Sequence, residues 1–428
     1  MCHSSLIKAA QRGDLCELRQ TWNDDTLNAT DPAGNTALHV AVMAGRDDFA
    51  KELCKKRPML LMKENKQGNT PLHCALKSSV GDESLFKYFM QVLSWVAVRR
   101  LGANRDGESL LYLAADRGSL ESVNLLLQRG EPTDFVGPNG RTALHAAVFR
   151  RNTEIAKELL QNDPKLNHKK DASGNTPLHY AAGYDDIEMV NLILNTDEDV
   201  AYLLNVDGHS PLHVAAGLGQ TTVVETLIER CPGCITLRDN VRRNTLHVAV
   251  EAGCLCVVEL LLVKHHPMFN GLVRDQDRCG NMPLHLAVVK GDSEMLGLLL
   301  TTGDDADANS LNHAGLTPRD IVDLRNPKHQ VHFDEHFEDA FIKAGGEHGP
   351  SLFHLKKLLK RNNDGEAVME PIGEETLGGG GGGGTVKIEK SWARGSRYLC
   401  LCHHHTSPKE EKSTPAPTKS PTAAYIAC

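Results

Sequence analysis

A six-residue phrase returns along this chain at a nearly fixed interval, and that periodicity constrains the fold more than any other property of the sequence. It runs Gly34-Asn-Thr-Ala-Leu-His39, Gly68-Asn-Thr-Pro-Leu-His73, Gly107-Glu-Ser-Leu-Leu-Tyr112 and Gly140-Arg-Thr-Ala-Leu-His145. It continues as Gly174-Asn-Thr-Pro-Leu-His179, Gly208-His-Ser-Pro-Leu-His213, Arg242-Arg-Asn-Thr-Leu-His247 and Gly280-Asn-Met-Pro-Leu-His285, with a degenerate copy at Gly315-Leu-Thr-Pro-Arg-Asp320. Successive copies start 34, 39, 33, 34, 34, 34, 38 and 35 residues apart. A unit this short cannot bury an apolar face alone, so the copies must stack into an elongated array with one continuous core.

Each position of the phrase has a physical role. The glycine suits a tight turn with positive φ. Thr36, Thr70, Thr142 and Thr176 are placed to cap a helix N-terminus. Pro71, Pro177, Pro211 and Pro283 fall on the first helical position, where a missing N–H is harmless. The pairs Ala146-Ala147, Ala181-Ala182 and Ala215-Ala216 let neighbouring helices approach closely. Gly45, Gly118, Gly219, Gly253 and Gly291 then stop that first helix, and a second one ends in aliphatics such as Leu125-Leu126-Leu127 and Leu298-Leu299-Leu300. The histidines of the phrase, His39, His73, His145, His179, His213, His247 and His285, lie a whole repeat apart, about 10 Å in a stacked solenoid and beyond shared-ligand distance. Each is expected to bond the Thr side chain and a neighbouring backbone group, a structural role.

Turn, helix, helix in about 33 residues is the pattern of the ankyrin repeat, and residues 1–345, about four-fifths of the chain, resemble that family. The resemblance implies an all-α fold: an ankyrin-repeat solenoid of stacked helix pairs with β-turn fingers, about nine to ten repeats long. Leu6-Ile7-Lys8-Ala9-Ala10-Gln11-Arg12-Gly13 copies only the helical half and reads as the N-terminal cap. The 39-residue interval predicts a longer second helix around Leu85 to Val98. Residues 346–361 contain a candidate amphipathic helix, Ser351 to Lys360. Residues 362–428, with seven glycines at Gly378 to Gly384 and a Pro/Ser/Thr/Lys-rich end, are expected to be a disordered tail.

A narrower likeness rests on prolines that follow several second helices: Arg57-Pro58-Met-Leu-Leu, Asp163-Pro164-Lys-Leu, Cys231-Pro232-Gly-Cys-Ile and His266-Pro267-Met-Phe. With Glu108-Ser-Leu-Leu-Tyr-Leu-Ala-Ala-Asp-Arg-Gly118, these are similar to plant ankyrin proteins of the accelerated-cell-death type. Members of that group carry a C-terminal membrane domain of several helices, for which this sequence has no counterpart. The likeness therefore implies a role in plant stress or defence signalling without implying membrane spans.

Charge and motif content narrow the function. A formal net charge of −8 excludes a general nucleic-acid binder, which needs a basic surface. No run reaches the roughly 18–20 apolar residues of a membrane span, and charges from Lys8 to Arg19 leave no apolar core for a signal peptide. Twelve cysteines without scaffold spacing fit reduced thiols. The expectation is a soluble monomer in the cytoplasm, with the nucleus or the membrane surface as further locations. No P-loop, Gly-x-Ser-x-Gly elbow or His-Glu-x-x-His helix occurs, so no enzyme activity, cofactor or metal is expected. Cys231 and Cys234 form a C-x-x-C without a second pair and read as buried small hydrophobes. The tail leaves three readings open: acylation at Cys400 and Cys402 beside Arg394 and Arg397, metal binding by Cys400 to His405, or no specific role.

A solenoid of this kind presents its turn tips and first-helix ends as a groove. Reading those positions across repeats places Phe149, Tyr184 and Leu218 in register, flanked by Arg105, Arg117, Arg141, Arg150 and Arg151. Aromatics and arginines are the types that interface hot spots favour. These residues predict a protein partner with an apolar segment and acidic flanks. Three roles follow: a scaffold or adaptor, a signalling component tethered through an acylated tail, and a regulatory subunit of a phosphatase, kinase or ubiquitin ligase.

Overall fold

A computed structural model of the chain describes residues 3–349, apart from 21–23, 79–82, 99–100, 131, 134–136, 265–269, 303–307, 326–340 and 342–343. Cys400, Cys402, the candidate helix at 351–360 and the tail at 362–428 lie outside the described residues.

The repeat phrase builds the same unit each time. A first helix begins just after the capping residue, as at Ala37–Met43, Pro71–Lys77, Ala143–Phe149, Pro177–Gly183, Pro211–Gly217 and Pro283–Lys290. A second helix follows within a few residues, as at Asp47–Lys56, Thr153–Asn162, Ile187–Thr196 and Thr221–Arg230. The leucine at the fifth position of the phrase is buried in every copy from Leu38 to Leu284. Burying each such side chain stabilises the array by about 1.5–3 kcal/mol. His3–Arg12 and Leu15–Gln20 form the N-terminal pair, with Leu6, Ala9, Ala10 and Leu18 turned into the core.

The prolines after the second helices start short 3-10 turns at Pro58–Met62, Pro164–His168 and Pro232–Thr236. Each turn drops apolar residues into the seam between repeats: Leu60 and Leu61, Leu166, then Cys234 and Ile235. One expectation is corrected. Leu85 to Val98 is not one helix but two, Glu83–Val92 and Trp95–Val98. Leu93 and Ser94 divide them, and the Ser94 hydroxyl accepts the Ala97 N–H at 3.3 Å, starting a new helix instead of continuing the old one.

The capping residue and its histidine lock each first helix. The Thr142 N–H donates to His145 Nδ1 at 3.1 Å, and His145 Nε2 donates to the Asn175 carbonyl of the next repeat at 3.1 Å. The same pair of bonds recurs at His39, His179, His213 and His285. The Thr142 hydroxyl also lies 2.9 Å from His145 Nδ1, so these histidines bond the capping side chain and a neighbouring backbone, as expected from the phrase.

Between the pairs, β-turn fingers stack edge to edge. The Val206 N–H donates to the Ser173 carbonyl at 3.0 Å, and Arg278 to Val241 at 2.8 Å, a bond that recurs at most joints. The approach is close: a Cβ at Gly174, where φ is +75°, would lie 2.8 Å from the Val206 nitrogen. Glycine is the residue that tolerates both the dihedral and the distance. No helix among the described residues is long and apolar enough to cross a membrane.

Candidate functional site

Two adjacent repeats bring an aromatic cluster to the ends of their first helices. Phe149 closes Ala143–Phe149, while Tyr180 lies within Pro177–Gly183 and Tyr184 caps it. The Phe149 ring centroid is 4.6 Å from that of Tyr180 and 6.0 Å from that of Tyr184, the latter edge-on at 70°. Ring pairs in such geometries contribute about 0.5–1.5 kcal/mol beyond area burial.

Two arginines bracket the rings. The Arg141 guanidinium carbon sits 4.5 Å from the Phe149 centroid and 5.7 Å from Tyr180. Arg151 lies 5.7 Å from Tyr184 on the other side and donates to its carbonyl at 2.9 Å. A cation over an aromatic face gains about 0.5–2 kcal/mol, more as water is excluded. Beneath the rings, the Tyr180 hydroxyl donates to Asp171 at 2.5 Å. Burial, with that bond second, raises the Tyr180 pKa, and burial likewise raises that of Tyr184. Both phenols are therefore neutral. Arg141 Nε is buried without a hydrogen-bond partner, 3.9 Å from the Asp171 carboxylate.

The other residues expected in the groove are placed unevenly. Arg150 is exposed and pairs with Asp116 at 3.0 Å. Arg117 turns back onto the preceding repeat, donating to the carbonyls of Ala75 at 2.8 Å and Ser78 at 3.0 Å. It serves as an inter-repeat tie instead of a free groove cation. Arg105 stands exposed on a fingertip, its amide bonded to Gln67. Leu218 caps Pro211–Gly217 and is exposed, with Gly183 leaving the space beneath its methyl groups. The structure thus brings together Phe149, Tyr184, Arg141 and Arg151, and leaves Arg105 apart.

Sequence reasoning missed Tyr180 and Asp171. Tyr180 immediately follows the phrase histidine, where the other copies carry Val, Ala, Cys or Leu, and that substitution was the available signal. It missed a backbone feature as well. Arg151 has φ +52° and Asp185 +56° at helix ends where sister repeats use Gly118, Gly253 and Gly291, and Arg242 has φ +65° at a turn position otherwise glycine. The left-handed region costs a non-glycine residue about 1–2 kcal/mol. Asp tolerates it better than most, so the arginines are the outliers. Arg151 is held there by its contacts with Tyr184.

Nothing in the cluster pairs an acid with a base around an open space. Among the described residues no group of His, Cys, Asp and Glu is arranged to hold a metal. Cys231 and Cys234 are buried, and burial pushes the Cys234 thiol up to about 12, far from a reactive thiolate. The surface offers flat rings and forked donors, which suit recognition of a protein segment.

Comparison with known proteins identifies the repeat. The family model for ankyrin repeats in three copies matches residues 6–94, 79–170, 111–202, 165–239 and 196–270, and the single ankyrin-repeat model matches 279–313. NF-kappa-B inhibitor cactus of Drosophila yakuba is 32% identical over 143 residues, 32% of this chain and 26% of that protein. Neurogenic locus notch homolog protein 1 of Xenopus laevis is 32% identical over 150 residues, 34% of this chain and 6% of that protein. L-asparaginase of Dirofilaria immitis is 30% identical over 169 residues, 38% of this chain and 27% of that protein. The chain therefore spans about a quarter or less of the length of these relatives.

Proposed function

The chain belongs to the ankyrin-repeat family, and from that premise we propose that it is an adaptor holding a partner protein against its fingers and first-helix ends. The aromatic cluster carries the reading. Phe149, Tyr180 and Tyr184 stack between Arg141 and Arg151, and Arg151 occupies a left-handed position that its sister repeats give to glycine. A chain that tolerates such local cost at a surface of hot-spot residue types has a use for them there. The partner segment places an apolar residue on the rings and carboxylates beside Arg141 and Arg151, with Leu218 and Arg105 extending the surface.

Binding rather than catalysis is the proposed role. The cactus and Notch matches support a place in signalling. The likeness to accelerated-cell-death ankyrin proteins makes plant stress or defence signalling the setting we propose. The test is a Phe149→Ala/Tyr184→Ala chain used against wild type in affinity capture from native extract. Specific partners should disappear from the variant while its helical circular dichroism is kept. An unchanged partner set would remove this surface from the account.

A further inference from the structure

Two directional contacts recur between adjacent repeats, and a third is added where an Asn opens the finger. A finger N–H donates to the carbonyl of the preceding finger, as Arg105 does to Gln67 and Ala172 to Asn139, both within 3.0 Å. A histidine Nε2 donates across to the next repeat, as from His145 to Asn175 at 3.1 Å. An Asp or Asn opens each finger and closes it from within. Asn104, for example, accepts the N–H groups of Asp106 and Glu108 at 3.0 and 2.9 Å, and its own amide reaches Asn69 at 2.7 Å.

Among the described residues all three are missing at one joint, between the finger at 104–107 and the finger at 137–140. Pro138 stands where Arg105 and Ala172 donate, and proline has no N–H. Tyr112 stands where the other repeats place histidine, and its ring carries no nitrogen to donate forward as histidine Nε2 does. Gly137 stands where Asn104 and Asp171 stand, and it has no side chain. The last two absences are one change. A Cβ at residue 137 would lie 2.5 Å from the Tyr112 ring, so the ring and a finger-opening Asp or Asn exclude each other. Among the described residues the Tyr112 joint is held chiefly by apolar packing between Leu110–Arg117 and Ala143–Phe149, with the buried Tyr112 ring and the exposed Arg150–Asp116 pair. An exposed ion pair adds little. Apolar packing resists separation but fixes orientation less than hydrogen bonds do.

We propose that this joint is a hinge and a boundary of cooperativity, so that residues 3–130 and the repeats from 137 onward tilt and unfold as separate units. In a stacked array each repeat is held mainly by its neighbours, and a joint with weaker coupling is where a single transition divides. This inference does not depend on the groove reading, although Arg105 and Asp116 lie on one side of the hinge and Phe149 and Tyr184 on the other.

Two of the three tryptophans, Trp22 and Trp95, precede the joint in sequence, and the third is Trp392. The full chain carrying Trp392→Phe is therefore titrated with urea, with tryptophan fluorescence and far-ultraviolet circular dichroism read on the same samples. The expected result is a fluorescence midpoint below the main dichroism midpoint by about 0.5 M urea or more, because the shorter N-terminal unit melts first. Coincident transitions overturn the proposal. Pro138→Ala restores the finger donor without disturbing Tyr112 and should narrow the gap. The combination Tyr112→His/Gly137→Asn/Pro138→Ala should close it. A folded Pro138→Ala chain with an unchanged gap also counts against the hinge, and if the triple variant fails to fold, the wild-type and single-variant titrations decide.

Discussion

Lowering the pH from about 7.5 to 5.5 changes few surface charges on an ordinary domain, but it acts on this solenoid through its repeated histidines. In the folded chain each imidazole is committed as a neutral tautomer: Nδ1 of His179 accepts the Thr176 N–H at 3.1 Å, and Nε2 donates to the His209 carbonyl at 3.0 Å. A proton on Nδ1 would face that N–H. Burial above all, partly offset by the carbonyl bonds, pushes His73, His145, His179, His213 and His285 down from 6.5 to about 4. His39 and His247 are lowered in the same direction. Between about 4 and 6.5 the unfolded chain binds these protons and the folded chain does not. Stability from the histidines is therefore complete above about pH 6.5 and is lost as the pH falls toward 4. At pH 5.5 each of the five costs about 1–2 kcal/mol, and together on the order of 7 kcal/mol, against a total stability of about 5–15 kcal/mol for a folded domain. Asp239 is not a competing cause. Burial would raise it, but its bonds with His209 and Arg243 hold it at about 2, below this window. Urea titrations at the two pH values should show the unfolding free energy falling by half or more. Unfolding at pH 5.5 in weak buffer should take up about four to five protons. An unchanged midpoint, or uptake of less than one proton, would refute the reasoning that the fold holds these rings neutral.

Two further substitutions probe the fingers. Arg242→Gly should stabilise the chain by about 1 kcal/mol in urea titration, because it relieves a left-handed residue; a loss of stability would show that the arginine side chain holds its turn. Gly208→Ala places a Cβ 2.5 Å from the Asn240 nitrogen at φ +81° and should cost about 2 kcal/mol or more, whereas a neutral result would mean the fingers shift easily.

The fold was legible because every level of the sequence agreed. The glycine turn, the Thr cap, the Pro at the first helical position and the buried leucine recur together, and no long-range pairing had to be guessed. Phe149 and Tyr184 were legible as neighbours because repeat register converts sequence spacing into spatial order. Arg117 was not, because its long side chain chose the backbone carbonyls of Ala75 and Ser78 over the groove, a choice that register does not fix. Nor did register reveal the break at Leu93 and Ser94, which depends on one hydroxyl bond. The Tyr112–Gly137 contact joins two departures from the phrase that look unrelated when read along the chain, and only their proximity in space makes them one feature.

The stacking of the fingers governs where the chain can change length. Where consecutive phrases start further apart, at 68 and 107 or at 242 and 280, the surplus falls after the first helix, at the helices Trp95–Val98 and Asn270–Arg274, while the next finger still bonds to the last. Insertions are thereby steered to the second-helix half of each unit. An epitope or a dye-binding peptide grafted there would leave the spacing of the fingers untouched.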